Sequence, residues 1–528
     1  MKHALATSLA AATALCSAVA FASAPRISAA DFAKDPAKVK VLQNGVAAMR
    51  KNDAAPNTTA AFLASWQYWA NIHGYLGTGP NAAGTVATYV PQQIAARCSG
   101  DPVCKSYYQH LRDTPLPADS FTAQTWGTCQ HGTLGFLPWH RMYLHFFERV
   151  LRKQSGDPNF SLPYWDYFAE KGPGGKGIAL PTLVRGKTTG VMYDQFRTPG
   201  LNDFKAAIDA RTGSAAQAFK FTDFTRFSRQ LEGQPHGAMH CGTGTGCTAP
   251  DIGLVPLAGL DPVFYMHHAN IDRLWQCWLN RKANGQPINL AWAKANLGMP
   301  DSWYQTSYRF VDENGKSVSM TIADVFTPGI IDARYDKDTN CVVAEPSAKA
   351  PVLAAAPSPA APPVMRITPM SHTKGAVLKG EAVTIPLQVT ADKKLLSPAP
   401  GTEGVKPGNA LLIIENVDIQ GDPEVTYNIY ISNKRDPKRS VYIGTLNYFG
   451  LLEPAREGHQ HGAAPGARIG TLTYDVQEEL AQLGVTSTAD VAVRFVPSNF
   501  VTEAVKKRTT RGSVTVGNIR LEQAAESK

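Results

Sequence analysis

The sequence predicts a mainly α-helical N-terminal domain followed by a smaller all-β sandwich or barrel. Three observations carry this. At 528 residues the chain exceeds what one hydrophobic core organises, so at least two domains are expected. Its earlier part spaces apolar residues at helical intervals, whereas its last part alternates apolar and polar residues in short runs bounded by Gly, Pro, Asn and Asp. Between them, Ala344 to Pro363 (AEPSAKAPVLAAAPSPAAPP) has the Ala/Pro composition of a semi-extended linker. The expected divisions are a signal segment over 1–24, a helical domain over 25–343, a linker over 344–375 and a β domain over 376–528.

The N-terminus has the three parts of a secretory signal. Lys2 supplies a short basic end, Leu5 to Phe21 is an Ala-rich apolar run, and small residues stand at Ala20, Ala22 and Ala24. Cleavage near Ala22 or Ala24 and export to the periplasm or the medium are expected. No later apolar run has the length needed to span a bilayer. Hydrophobic residues make up 44% and charged ones 18%, as in soluble globular proteins, and the formal net charge is +9. Apart from Lys506, Lys507, Arg508 and Arg511 the positive charge is dispersed. It could draw anionic ligands, but nothing reads as a nucleic-acid module.

Export makes the cysteines informative. Removing Cys16 from the eight leaves an odd number: Cys98, Cys104, Cys129, Cys241, Cys247, Cys277 and Cys341. Cys98 with Cys104, and Cys241 with Cys247, could close short loops, and Cys277 and Cys341 would then remain as a pair. Cys129 is left over, two residues before His131. Spacing does not fix the pairing, and a free buried thiol stays open for any of them.

Along the chain, Asp31 to Lys51 reads as an amphipathic helix through Val39, Leu42, Val46 and Met49. Thr58 to His73 reads as a second, with Phe62, Trp66 and Trp69 placing His73 on the apolar face and Gly74 ending it. His110 lies in a turn-rich stretch and reads as a surface residue. Leu137 to Lys153 is a strong helix with Pro138 in its first turn. Pro163 to Tyr167 (PYWDY) looks like a packed aromatic turn rather than chemistry. Gln234 to His240 and Asp261 to Asn280 complete the helices. In the last part, Leu411 to Asp418, Val425 to Ser432, Val441 to Tyr448, Arg468 to Val476, Val491 to Val496 and Ser513 to Leu521 read as strands, and Gln477 to Leu483 as one short helix. His459 and His461 sit in a Gly-rich loop and read as surface histidines.

The histidines suggest a metal site made of imidazole alone. His131 and His140 stand nine apart, and His236 and His240 stand four apart, which on a helix puts both rings on one face. The doublet His267-His268 follows, but neighbouring helical residues diverge by about 100°, so only one can face a shared metal. His268 is the choice, because Phe264 and Asp272 lie one turn to either side. Phe264 can pack on imidazoles, and Asp272 with Arg273 can anchor the helix. His267 then becomes a residue that supports the ligands from behind or packs against them. A lone His73 would read as a core histidine; here it is the best-placed third member of the first group. Sets of neutral imidazole suit copper, zinc, iron or nickel.

These residues resemble the type-3 copper proteins, specifically tyrosinases and polyphenol oxidases. The resemblance rests on HGTLGFLPWHRMYLHFFE, PHGAMH and DPVFYMHHANIDRLW. It covers Thr58 to Trp278 strongly. It continues more loosely through DSWYQTSYRFVDENG into YNIYI and TYDV, which look like the terminal domain of plant-type polyphenol oxidases. The resemblance implies a helical bundle and two copper ions, one held by His73, His131 and His140, the other by His236, His240 and His268. It implies that o-diphenols, with monophenols as a further class, are oxidised to o-quinones by dioxygen. Glu232 matches an acidic residue that holds a water near the second copper. Gly237 stands where many tyrosinases have an Asn helping to orient that water, a departure that leans toward catechol oxidation. Cys129 matches a cysteine that fungal-type members join to the histidine ring, so a Cys129–His131 thioether is expected, with an unmodified thiol or a disulfide as the alternatives. Partners are a phenolic small molecule and dioxygen, with no nucleic acid. The β domain, lacking a catalytic set of its own, is expected to insert a bulky side chain toward the coppers. The competing expectations are a hemocyanin-like dioxygen carrier with the same six ligands, and a zinc or iron hydrolase.

Overall fold

The computed structural model describes residues 24–83, 102, 116–344, 365–388, 410–449 and 471–526, less positions 78, 80, 248–249, 332, 340, 421–424, 486, 499 and 502–511. The signal segment up to residue 23, Cys98, Cys104, His110, the 345–363 stretch of the expected linker, His459, His461 and the Lys506–Arg511 cluster lie outside them.

Local caps set where the helices begin. Asp35 accepts the N–H of Ala37 at 3.0 Å, Pro36 takes the first helical position, and the helix runs Pro36–Lys51 after a separate turn at Ala29–Phe32. The Thr58–His73 stretch is also two pieces, Ala60–Leu63 and Trp66–His73. Ser65 is extended and its hydroxyl accepts the N–H of Tyr68 at 3.0 Å, so a new helix starts there. Every residue of Trp66–His73 is buried, which explains a sequence with almost no charge.

The two longest helices among the described residues, Phe136–Ser155 and Val263–Ala283, stop at Gly156 and Asn284, both in left-handed backbone with φ of 74° and 47°. They pack on one another through Phe147 and Tyr265, whose rings stack at 3.6 Å. Asp272 and Arg273 both tie the second helix to the rest of the domain, through different partners. Asp272 accepts from Arg141 at 2.6 Å and from Tyr335 at 2.6 Å, and pairs with Arg26 at 3.4 Å. Arg273 points elsewhere, to Asn270 and over the ring of Tyr164. Disulfides Cys241–Cys247 and Cys277–Cys341 fasten the domain, and Cys129 is buried outside both. A hairpin of β1 (Ser307–Val311) and β2 (Ser317–Thr321) closes the helical domain.

Among the described residues, eleven further strands build the terminal domain: β3 (Met365–Lys374), β4 (Val377–Leu378), β5 (Val383–Pro386), β6 (Ala410–Glu415), β7 (Asp418–Gln420), β8 (Thr426–Asn433), β9 (Asp436–Leu446), β10 (Leu472–Asp475), β11 (Val491–Ser498), β12 (Ser513–Thr515) and β13 (Asn518–Glu526). All pair antiparallel, as two four-stranded sheets ordered β10-β6-β13-β3 and β5-β11-β8-β9 plus a three-stranded β4-β12-β7. This is a sandwich; no closed barrel forms among the described residues. β3 begins inside the stretch expected to be linker. The apolar core of the sandwich takes in Ala238, Cys241 and Cys247 of the helical domain, so the two domains are packed together beside the segment that carries His236 and His240.

Candidate metal centre

The expected histidines converge as two buried groups. Ligating atoms of His73, Cys129, His131 and His140 lie within 4.8 Å of one another, as do those of His236, His240, His267 and His268. Within the first group, ring centroids stand 5.1 Å (His73–His131), 5.7 Å (His73–His140) and 5.6 Å (His131–His140) apart. In the second, His236 is 4.7 Å from His240 and 4.9 Å from His268. The groups face each other: His140 stacks on His268 at 4.3 Å with rings 8° from parallel, and His131 lies 5.6 Å from His236.

Backbone carbonyls turn four of these rings. His73 ends its helix and donates from Nδ1 to Val255 O at 3.0 Å. Gly74 follows because the chain passes so close that a Cβ there would lie 2.7 Å from Pro256 Cα. His140 donates from Nδ1 to Phe136 O one turn back at 2.8 Å, His236 to Glu232 O at 3.0 Å, and His240 to Ile252 O at 2.7 Å. A carbonyl only accepts, so these four Nδ1 atoms carry the proton and each Nε2 presents a lone pair. Burial, then neighbouring imidazoles, hold His140, His236, His240 and His268 well below the usual histidine range. These rings are neutral, as metal ligation requires.

The segment around His236 is not the regular helix expected. Glu232–Gly237 forms a wide turn with Gln234 extended, and an α-helix starts only at Ala238. His236 and His240 still share a face. Both rings of the doublet enter the second group, and the Nε2 of His267 is buried there with no hydrogen-bond partner. His268 contacts rings of both groups, whereas His267 is turned so that its Nδ1 meets the Tyr167 hydroxyl at 2.7 Å. The PYWDY turn thus supports the site: Trp165 also takes Met266 O as a backbone partner at 2.8 Å. Phe264 packs as expected, 4.7 Å from His73 and 4.3 Å from His268.

The donor set fits a pair of copper ions. The Nε2 atoms of His236 and His267 are buried with no hydrogen-bond partner, orphans that a cation would satisfy, and all eight clustered side chains are imidazole nitrogen or soft sulfur donors. Cys129 Sγ lies 3.6 Å from both ring nitrogens of His131 and 3.4 Å from His140 Nε2.

Three residues border the groups. Glu232, half-buried, accepts the Gly132 N–H at 2.6 Å; burial pushes its carboxyl up to about 8 against the pull of that N–H and of Arg229. At Gly237 a Cβ would lie 2.5 Å from the Asn447 Oδ1 of the sandwich, so the space a side chain would fill is taken by the other domain. Phe449, three residues beyond β9, stacks on His240 at 3.8 Å with rings 10° from parallel and stands edge-on to His131 and His236. Asn447 Nδ2 donates to Gly233 O at 2.8 Å, and Gln234 bonds Tyr442 and Thr445, which fastens this edge of the sandwich over the histidines.

Residues 63–281 match the family model described as the common central domain of tyrosinase. The tyrosinase HcTyr1 of Hahella sp. (strain CCB-MM4) is 25% identical over 490 residues, covering 87% of this chain and 92% of that one. Polyphenol oxidase A1, chloroplastic, of Vicia faba is 24% identical over 417 residues, 70% of this chain and 64% of its own. Among solved structures, a recombinant latent aurone synthase (polyphenol oxidase) superposes with a TM-score of 0.56 at 20% identity, covering 96% of this chain and 90% of that one. Latent apple tyrosinase does so at 0.52 and 18%, covering 96% and 98%. Both share the helical core and the terminal sheet domain.

Proposed function

Because the chain belongs to the tyrosinase and polyphenol oxidase family, we propose that it is an exported dicopper oxidase that converts o-diphenols, and monophenols as a further class, to o-quinones with dioxygen. His73, His131 and His140 would hold one copper, and His236, His240 and His268 the other. The observation that carries this is the two facing groups of neutral imidazoles, four of them with Nδ1 tied to backbone carbonyl and Nε2 left for a metal. Bound copper would supply the two-electron exchange between phenol and dioxygen.

The chain's own residues do the rest. His240 offers a flat face on which an aromatic ring stacks, the place Phe449 now fills. Phe136 and Phe264 border the rings and exclude water. Glu232 is the carboxylate at this edge of the site. It would accept a phenol proton through a water, and its raised pKa suits it to that exchange near neutrality. Gly237 supplies no amide to help, which favours catechols. Cys129 would be joined through Sγ to a carbon of the His131 ring as a thioether, the S–H and ring C–H bonds breaking as two protons and two electrons pass to dioxygen, which would fix that ligand; the contacts at 3.6 Å support it. Phe449 would keep the intact protein of low activity until the sandwich is displaced, and the similarity to two proteins described as latent agrees with this. Export rests on the N-terminal signal pattern.

The test is a paired assay on copper-loaded protein, with tyrosine and with catechol, before and after limited proteolysis. Steady quinone formation from catechol that increases on cleavage is expected. No turnover in either state would leave the dioxygen-carrier reading.

A further inference from the structure

Both histidine groups take a hydrogen-bond acceptor from one short segment. Ile252 O receives the Nδ1–H of His240 and Val255 O that of His73. The segment ends at Asp261, whose Oδ1 accepts the Val263 N–H at 2.9 Å where the helix bearing His268 begins. It consists of two 3₁₀ turns, Asp251–Gly253 and Val255–Leu260, without a ladder of its own, so it must be fixed from outside.

The stretch Asp194–Thr198 fixes it at both ends. Arg197 forks onto Asp261 with contacts of 2.9 Å and 2.7 Å, both side chains being 0% exposed. Its remaining N–H groups go to Val184 O, Asn202 Oδ1 and Met192 O, so the guanidinium is fully used and its geometry set. Asp194, also buried, faces Asp251 at the other end, and because burial pushes its carboxyl up the pair can share a proton. Thr198 holds Gly242 O and Thr243 O, just past His240. A buried ion pair is a poor source of stability, because desolvating two charges offsets most of their attraction. Its clear yield is a fixed position.

We infer that Arg197 is a positioning residue for both histidine groups: by pinning Asp261 it holds the segment whose carbonyls orient His73 and His240. The inference rests on the six-histidine dicopper reading. The hydrogen bonds of Arg197 reach no histidine; it acts through the segment.

The experiment compares wild type with Arg197→Lys, which keeps the charge without the fork, and with the double variant Arg197→Met/Asp261→Asn, which removes both charges yet keeps an acceptor for Val263. Copper(I) affinity is measured anaerobically by competition with a chromophoric chelator, and the ¹⁵N spectrum of labelled histidine is recorded on the metal-free protein. Both sites should weaken together by about tenfold or more, the cost typical of losing a residue that orients a metal ligand. The Nδ1–H signals of His73 and His240 should shift. Unchanged affinity and histidine spectra with only a lower melting temperature would overturn the inference, as would weakening at one site alone. Should wild type itself fail to take two coppers, the dicopper reading falls, while the histidine spectra still decide whether Arg197 orients the rings.

Discussion

At the scale of residues, a histidine becomes a ligand when something turns its ring and keeps it neutral. Spacing in the sequence pointed to His73, His236, His240 and His268 through period 3.6, whereas His131 stands in the loop before Phe136 and was named through its motif. Spacing could not locate Val255 O or Ile252 O, since a backbone carbonyl leaves no mark in a sequence. Phe449 was equally hidden: a bulky plug was expected, but nothing distinguishes this aromatic from others in loops. His268→Ala is expected to leave about one copper per chain by metal analysis, and His267→Phe about two, because the Tyr167 hydroxyl at Nδ1 fixes His267 as a packing ring while His268 faces both groups. Phe449→Ala should raise kcat/KM for catechol in the intact protein by up to roughly tenfold, the worth of one aromatic stack at about 0.5–1.5 kcal/mol. Glu232→Gln should cut tyrosine hydroxylation by about 10²-fold and catechol oxidation far less, read from the same paired assay.

At the scale of elements, the long periodic helices were legible and their interruptions less so. Ser65 splits one helix because its hydroxyl competes for the backbone, and Gln234 adopts an extended backbone that breaks another. Both breaks aim histidines. The anchoring role of Asp272 was legible but its partners were not: Arg141, Tyr335 and Arg26 come from distant parts of the chain, and Arg273 beside it reaches Lys337 O and the Tyr164 ring instead. Removing the Asp272 charge leaves two buried guanidinium groups with a poorer acceptor. Asp272→Asn is therefore expected to destabilise the helical domain by about 3 kcal/mol in chemical denaturation, with loss of copper following rather than preceding unfolding.

At the scale of the whole molecule, the change of period near residue 364 announced a second domain, and alternation identified it as β. Its seat was not legible, because contacts between domains join residues far apart in sequence with no shared pattern. The structure places the edge after β9 over the histidines, gripping the turn that carries His236 through Gln234 and Asn447. Helical frame, brace and sandwich all act on one small volume, the gap between two groups of imidazoles. Anomalous diffraction at the copper edge from copper-loaded crystals examines that volume directly. Two peaks are predicted, one bounded by nitrogens of His73, His131 and His140 and one by those of His236, His240 and His268, each at about 2 Å. A single peak, or a second ion held by His267 in place of His268, would contradict it.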